Sequence, residues 1–310
     1  MRLNPMRPCG IALAFPADDK TEARVNAMVT DPSAESDEPI AALLADVDGT
    51  LINRAKVLTA RAIGAVKRLR ERGVVFCITS GRPPRGLRMF VEPLELTIAM
   101  AAFNGGVIVR PDLSVIDEKP LPVDIPSQVI DSIRAHGLDA WVYTPTEWYV
   151  TDLHGTRVDR ETSTIQFPPV VVPNYDALLH ETIKIVGTST DHDAVARCEA
   201  SIQAEFGTRV SAARSQPYYL DITHTDANKG AIVRRLAQYL NVSPRRIATI
   251  GDQMNDTLMF RESGLSIAMG NASADVQRLA TFVTTSFGEE GFANAVERYI
   301  LPRAHVTKAM

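Results

Sequence analysis

From residue 40 onward the chain alternates short apolar runs with stretches of helical periodicity. Residues 40–47 form an apolar run that ends in acid, and residues 74–78 form another. Between them, residues 59–72 carry Ile63, Val66 and Leu69 at helical spacing, with Gly73 as a stop. A strand, a helix and a strand in so short a span predict a βαβ unit, and with it a parallel sheet. Residues 98–103 predict a third strand. The alternation returns near the C-terminal end, where residues 229–240 place Ile232, Val233, Leu236 and Leu240 on one helical face. Strands are predicted over 246–250, 265–269 and 282–285, and helices over 256–262, 275–279 and 290–300. The fold class predicted is α/β, with a doubly wound, mostly parallel sheet.

The middle of the chain reads differently. A helix is predicted over 127–136, then strands over 140–143 and 148–152 around the turn-like Thr144-Pro145-Thr146. A strand over 182–187, a helix over 193–206 and strands over 209–212 and 218–222 follow. This pattern predicts an α+β domain inserted into the α/β domain. The expected organisation is an extension over 1–38, a core from 39–120 and 219–303, and an insertion over 121–218. The first 38 residues mix Pro5, Pro8, Pro16 and Pro32 with small and charged residues and show no sustained period. They are expected to be disordered or loosely packed. A signal peptide fits poorly, because the apolar stretch over 10–17 is short and Pro16 interrupts it.

Composition narrows the function classes. A chain of 310 residues suggests about two domains. A formal net charge of -4 argues against a nucleic-acid partner, whose footprint is a basic patch. No apolar run approaches the roughly 20 residues of a membrane helix, so no membrane partner is expected. Cys9, Cys77 and Cys198 lie far apart, without metal-ligand spacing or a disulfide framework, so a cytoplasmic location is expected. The histidines do not cluster, which leaves a zinc site without support.

Four segments carry chemistry. The first predicted strand runs into Asp46-Val47-Asp48-Gly49-Thr50. On extended backbone, residues two apart face the same side, so both carboxylates can address one phosphate. Asp46 can attack phosphorus, and Asp48 can protonate the leaving oxygen and then activate water. Gly49 lets the backbone turn away without a side chain in the site. The blander alternative is an acidic strand end with an Asp-Gly turn. The second strand ends in Thr79-Ser80-Gly81-Arg82, which can offer hydroxyl and N–H donors to phosphate oxygens. Arg82 is either an anion contact or a solvated loop residue. Asn228 can cap the helix that begins at Lys229, and a lysine there runs against the helix dipole. That placement suggests a point charge for a phosphoryl group, with a surface lysine as the alternative. Finally, a predicted strand runs into Gly251-Asp252-Gln253-Met254-Asn255-Asp256. Mg²⁺ takes oxygen ligands in near-octahedral geometry. Asp46 and Asp252 can supply carboxylates to it, with the Asp48 carbonyl as a third donor. Asp256 is expected to orient a neighbour.

Taken together, the segments resemble the motifs of the haloacid dehalogenase (HAD) superfamily in order and spacing. More narrowly the chain resembles the Cof-like phosphatases with a type IIB cap. Phe103-Asn104-Gly105-Gly106 and Ala268-Met269-Gly270-Asn271-Ala272 add to that likeness. The resemblance implies a Mg²⁺-dependent phosphatase acting through an aspartyl-phosphate on a small phosphorylated metabolite, such as a sugar phosphate. It implies Asp46 as nucleophile, Asp48 as acid and base, and Thr79 and Lys229 as stabilisers of the phosphoryl oxygens. Ser80, Gly81, Arg82, Asn104 and Asn255 are expected on the substrate side, and the protein is expected to be a monomer or homodimer. A phosphomutase and a catalytically idle metabolite-binding protein are the alternatives on the same fold. Trp141, Tyr143, Trp148, Tyr149, His154 and Arg157 are candidates to line the cap, with plain aromatic packing as the alternative.

Overall fold

The computed structural model describes residues 38–304. Apart from Glu38, the expected N-terminal extension lies outside them. The described chain runs β1 (Ala42–Asp46), α1 (Ala60–Glu71), β2 (Val75–Thr79), α2 (Arg88–Val91), β3 (Met100–Ala102), β4 (Val107–Val109) and β5 (Val115–Glu118). A second group follows: α3 (Ile125–Ala135), β6 (Asp139–Tyr143), β7 (Trp148–Val150), α4 (Val158–Ile165), β8 (Val170–Val171), β9 (Lys184–Thr188), α5 (His192–Phe206), β10 (Val210–Gln216) and β11 (Tyr219–His224). The chain then returns through α6 (Lys229–Leu240), β12 (Ile247–Gly251), α7 (Thr257–Glu262), β13 (Leu265–Ala268), α8 (Ala274–Arg278), β14 (Phe282–Val283) and α9 (Gly291–Ala295).

Two sheets result. The first has eight strands in the order β14-β13-β12-β1-β2-β3-β4-β5. It is parallel from β14 to β3 and antiparallel at β3–β4 and β4–β5. The second is a separate mixed sheet in the order β10-β11-β9-β6-β7-β8. The α/β class with a mostly parallel sheet is as expected. The strand Tyr219–His224 pairs with β9 and β10, so the second sheet reaches past residue 218, where the core was expected to resume. A returning strand carries the same apolar alternation whichever sheet it joins, and only pairing decides.

Local sequence explains the elements that position the site. Every residue of β1 and β12 is buried, as for central strands covered on both faces. Helix α1 is capped by Thr59, whose hydroxyl accepts from the Ala62 N–H at 3.1 Å, and it buries Ala62, Ala65, Val66 and Leu69. Asn228 caps α6 by accepting from the Ala231 N–H at 3.0 Å. Parallel register places Asp46 opposite Thr79, and Ala45 opposite both Ile78 and Ile250. The C-terminal ends of β12, β1 and β2 therefore lie side by side, where the chain order reverses across the sheet. Open α/β sheets bind their ligands outside such a switch point.

Candidate active site

Four of the sequence-predicted residues meet at this point. Lys229, at the start of α6, is buried and donates to Asp46 Oδ1 and to Asp256 Oδ1, each at 2.6 Å. The other oxygen of Asp256 accepts from the backbone N–H groups of Asp252 and Gln253, each at 2.9 Å. Asp256 thus holds the lysine and the turn after β12. Asp252 is held by Gln253 Nε2 at 2.9 Å, by Asn271 Nδ2 at 3.2 Å and by the Thr50 hydroxyl at 3.4 Å. Gly49 makes this approach possible. Its φ is +91°, and a Cβ there would lie 2.4 Å from Asp252 Oδ2.

The carboxylates of Asp46, Asp252 and Asp256 each offer an oxygen within 4.8 Å of the others. All three are buried, and only Lys229 opposes them within the cluster. Burial pushes the Asp46 carboxyl well above its ordinary value; Lys229 opposes this, and Asp256 and Asp252 add to it. Burial, and then Asp256, push Asp252 up to about 6. Burial would lower Lys229, but Asp256 and Asp46 outweigh it and hold the ammonium above its ordinary value. Asp46 Oδ2 is buried without a hydrogen-bond partner. Excess buried negative charge, an orphaned carboxylate oxygen and a neighbouring carboxylate form a hard oxygen donor set. These residues fit a divalent cation.

Asp48, two residues on, has different company. Arg82 grips it with two hydrogen bonds, Nε to Oδ2 at 2.7 Å and Nη2 to Oδ1 at 2.9 Å. Lys56 Nζ donates to Oδ1 at 2.6 Å. Burial alone would raise Asp48, but the hydrogen bonds and charge of Arg82, joined by Lys56, hold it at about 2. Arg82 is therefore not a solvated loop residue. It is buried, stacked at 5.6 Å over the Phe90 ring, and committed to Asp48.

Thr79 is fully buried, and its Oγ1 has no partner. The Ser80 hydroxyl accepts from the Arg82 N–H at 3.2 Å, so it shapes the loop. Gly81 faces the Asn104 side chain, and Asn104 Oδ1 accepts from Asn255 Nδ2 at 3.3 Å. Asn104 takes a left-handed φ of 58°. These two asparagines come together at the mouth of the site. Sequence reasoning passed over Lys56, Thr50, Gln253 and Asn271 as site residues. Asn271 was visible only as part of a family-like segment; it bridges the Gly49 carbonyl, at 3.0 Å, and Asp252.

The cap candidates divide. Trp141, Tyr143 and Trp148 are almost wholly buried and pack together, with Trp141 edge-on to Trp148 at 5.4 Å and Tyr143 stacked on Trp148 at 5.8 Å. Tyr149 is half-buried and packs with the helix-covered side of the second sheet. His154 is exposed, and Arg157 lies over the Tyr218 ring at 3.8 Å.

A family model for haloacid dehalogenase-like hydrolases matches residues 43–296. A protein of Haemophilus influenzae named as a putative phosphatase is 28% identical over 263 residues, covering 83% of this chain and 97% of its own. The 5-amino-6-(5-phospho-D-ribitylamino)uracil phosphatase YcsE of Bacillus subtilis is 24% identical over 265 residues, covering 86% and 98%. The solved structure of the HAD subclass IIB sugar phosphatase BT4131 superposes with a TM-score of 0.72 at 19% identity, covering 84% of this chain and 99% of that one. The chain belongs to the haloacid dehalogenase-like hydrolases.

Proposed function

We propose that the protein hydrolyses phosphate monoesters of small metabolites, with Asp46 as nucleophile, Asp48 as acid and base, and Mg²⁺ as cofactor. The observation that carries this reading is the contrast between two carboxylates two residues apart. Asp46 is held by a lysine on one oxygen, while its other oxygen is unpartnered. Asp48 is held by two cations that a phosphate can draw away. Two acids in environments that push them in opposite directions take different roles.

When bound, Mg²⁺ would be held by Asp46, Asp252 and the Asp48 carbonyl, and would neutralise charge on the phosphate. Asp46 then attacks phosphorus; an Asp46–phosphorus bond forms as the bond to the leaving alcohol breaks. Asp48, which takes up a proton from solvent once the substrate has drawn Arg82 and Lys56 away, gives that proton to the alcohol. In the second half it takes a proton from water, whose oxygen attacks phosphorus and releases Asp46. Lys229 and the unpartnered Thr79 hydroxyl face the transferring oxygens, where fixed donors are worth most. In the resting state Asp48 is too strong an acid to hold a proton. A dianionic phosphate offers Arg82 and Lys56 another partner, and their departure frees Asp48 for its work. The expected anion-binding part of Arg82 thus becomes an exchange of partners. Ser80 and Gly81 shape the phosphate loop, and Asn104 and Asn255 stand at the entry. Residues 121–224 serve as the cap over the leaving group. The names of relatives such as YcsE support a small phosphorylated metabolite as substrate.

The test is phosphate release from a panel of phosphomonoesters, with Mg²⁺, with chelator and with Asp46→Asn. Release that requires metal and falls at least about a thousandfold in Asp46→Asn is expected. Release only after priming with a sugar bisphosphate would indicate a mutase, and no release under any condition would indicate an idle binder.

A further inference from the structure

Arg82 is a buried cation whose donors are unequally served. Nε and Nη2 donate to the Asp48 carboxylate at 2.7 and 2.9 Å, ordinary lengths for a charged pair. The Phe90 ring lies against the guanidinium. The remaining nitrogen, Nη1, has only two long contacts, the Gly86 carbonyl at 3.4 Å and the Met89 sulfur at 3.6 Å. A thioether is a weak acceptor. A guanidinium that is 4% exposed is therefore held firmly by Asp48 and loosely everywhere else. Loose retention at Nη1 suits a group that must leave Asp48 when a phosphate arrives.

Met89 lies in α2 and reaches solvent, with 36% of its surface exposed. Of the other methionines among the described residues, Met100, Met259 and Met269 are buried and Met254 is exposed. Of the two exposed ones, it is Met89 that touches Arg82. An accessible thioether is a common target of peroxides, which convert it to the sulfoxide. The two described cysteines are poor competitors for an oxidant. Both are buried, and burial pushes the Cys77 thiol up to about 12 and the Cys198 thiol up to about 11.

We propose that Met89 is a reversible oxidation site that throttles the enzyme: its sulfoxide anchors Arg82 on Asp48 and hinders the exchange of partners that admits a phosphate. With hydrogen peroxide as oxidant, a lone pair on sulfur forms the S–O bond as the O–O bond breaks, and water leaves. The sulfoxide oxygen is a far stronger acceptor than the thioether it replaces. The 3.6 Å between sulfur and Nη1 is the span of a bent S–O···N contact whose oxygen lies at hydrogen-bond distance, about 2.9 Å, from the nitrogen. Nη1 then donates to this oxygen, and the guanidinium is fixed from both sides. Sulfoxide reductases remove the oxygen and restore the loose contact. The effect on turnover rests on the phosphatase reading above, whereas the effect on phosphate binding does not require hydrolysis.

The experiment treats the wild-type protein and Met89→Leu with hydrogen peroxide and locates sulfoxide by peptide mass spectrometry. Hydrolysis of para-nitrophenyl phosphate with Mg²⁺, affinity for orthophosphate by titration calorimetry, and melting temperature are measured before and after. In the wild-type protein, sulfoxide at Met89 should bring a fall of about tenfold in kcat/KM, chiefly through KM, and a like fall in orthophosphate affinity, with the fold intact. A methionine sulfoxide reductase should restore both. Met89→Leu should hold its own starting values through the same treatment. Met89→Gln, which sets an amide oxygen near the place of the sulfoxide oxygen, should bind orthophosphate more weakly than the wild-type protein without any oxidant. Equal losses in Met89→Leu, a loss that comes only with unfolding, unchanged kinetics and affinity once Met89 is oxidised, or oxidation of Met254 that spares Met89 would each overturn the proposal while leaving the phosphatase reading intact. Orthophosphate binding that weakens on oxidation, in a wild-type protein that hydrolyses no ester, would support the oxidation site and remove the phosphatase reading.

Discussion

At the scale of single residues, the site is a set of charges placed against the preference of each to be in water. Asp252 titrates at about 6 where its ordinary value is 3.8. An acid whose folded value is raised holds its proton more tightly folded than unfolded. The metal-free protein should therefore lose stability as pH climbs from about 4 to about 6, as Asp252 ionises beside Asp256. A divalent cation offsets that repulsion. Thermal melting should show a large gain from Mg²⁺ at pH 7.5 and a much smaller one below pH 5; a gain independent of pH would be contrary. Gly49 has equal leverage. Its φ of +91° and its contact with Asp252 predict that Gly49→Ala costs on the order of 2 kcal/mol and weakens Mg²⁺ binding, read by melting and titration calorimetry. Loss of stability without loss of metal affinity would separate the strain from the contact. The principal site residues were legible because Asp, Thr and Lys stand at strand and helix ends in a recognisable order. Lys56 was not. It sits in a loop, in a left-handed conformation, and only the tertiary fold brings it to Asp48.

At the scale of elements, the site exists because three parallel strands end level with one another and α6 begins beside them. Lys229 starts α6 against the helix dipole, and Asp46 and Asp256 compensate. Replacing it with Met would leave two buried carboxylates facing each other and should cost roughly 3–5 kcal/mol at neutral pH, and less where they can take up protons. Denaturation across pH reads this directly, and a cost that is the same at low pH would be contrary. The central strands were legible as apolar runs. Five other elements, α2, β4, β5, α4 and β8, escaped the sequence reading, each of them eight residues or shorter. Helix α4 (Val158–Ile165) has few apolar positions and is flanked by left-handed Arg157 and Gln166 rather than by a side-chain cap. Strands β4 and β5 are short and lie at the antiparallel edge, where alternation has no room to show. The helix expected over 290–300 is α9 followed by a wider π-helical turn, Val296–Ile300.

At the scale of the whole molecule, the two sheets share a core. One apolar cluster takes in Leu43 and Ile250 of the first sheet together with Trp141, Tyr143 and Trp148 of the second. Among the described residues no helix is long and apolar enough to cross a membrane. Because Trp141 and Trp148 both belong to the second sheet, tryptophan fluorescence follows that sheet alone, whereas far-ultraviolet dichroism follows both. With a shared core the two signals should melt at one midpoint, and a separate, earlier fluorescence transition would mean that the second sheet unfolds by itself. The insertion was legible from its change of pattern and from the long stretch between Thr79 and Lys229.

The central claim is that Asp46 carries the phosphoryl group. Asp48→Asn with para-nitrophenyl phosphate and Mg²⁺ tests it most directly. That leaving group departs without an acid, whereas release of the second product needs the base that Asp48→Asn lacks. A phosphoryl adduct should accumulate, map by mass spectrometry to the peptide that contains Asp46, and be absent when Asp46 is also replaced by Asn. Turnover with no adduct on that peptide, or an adduct that survives the loss of Asp46, would contradict the account.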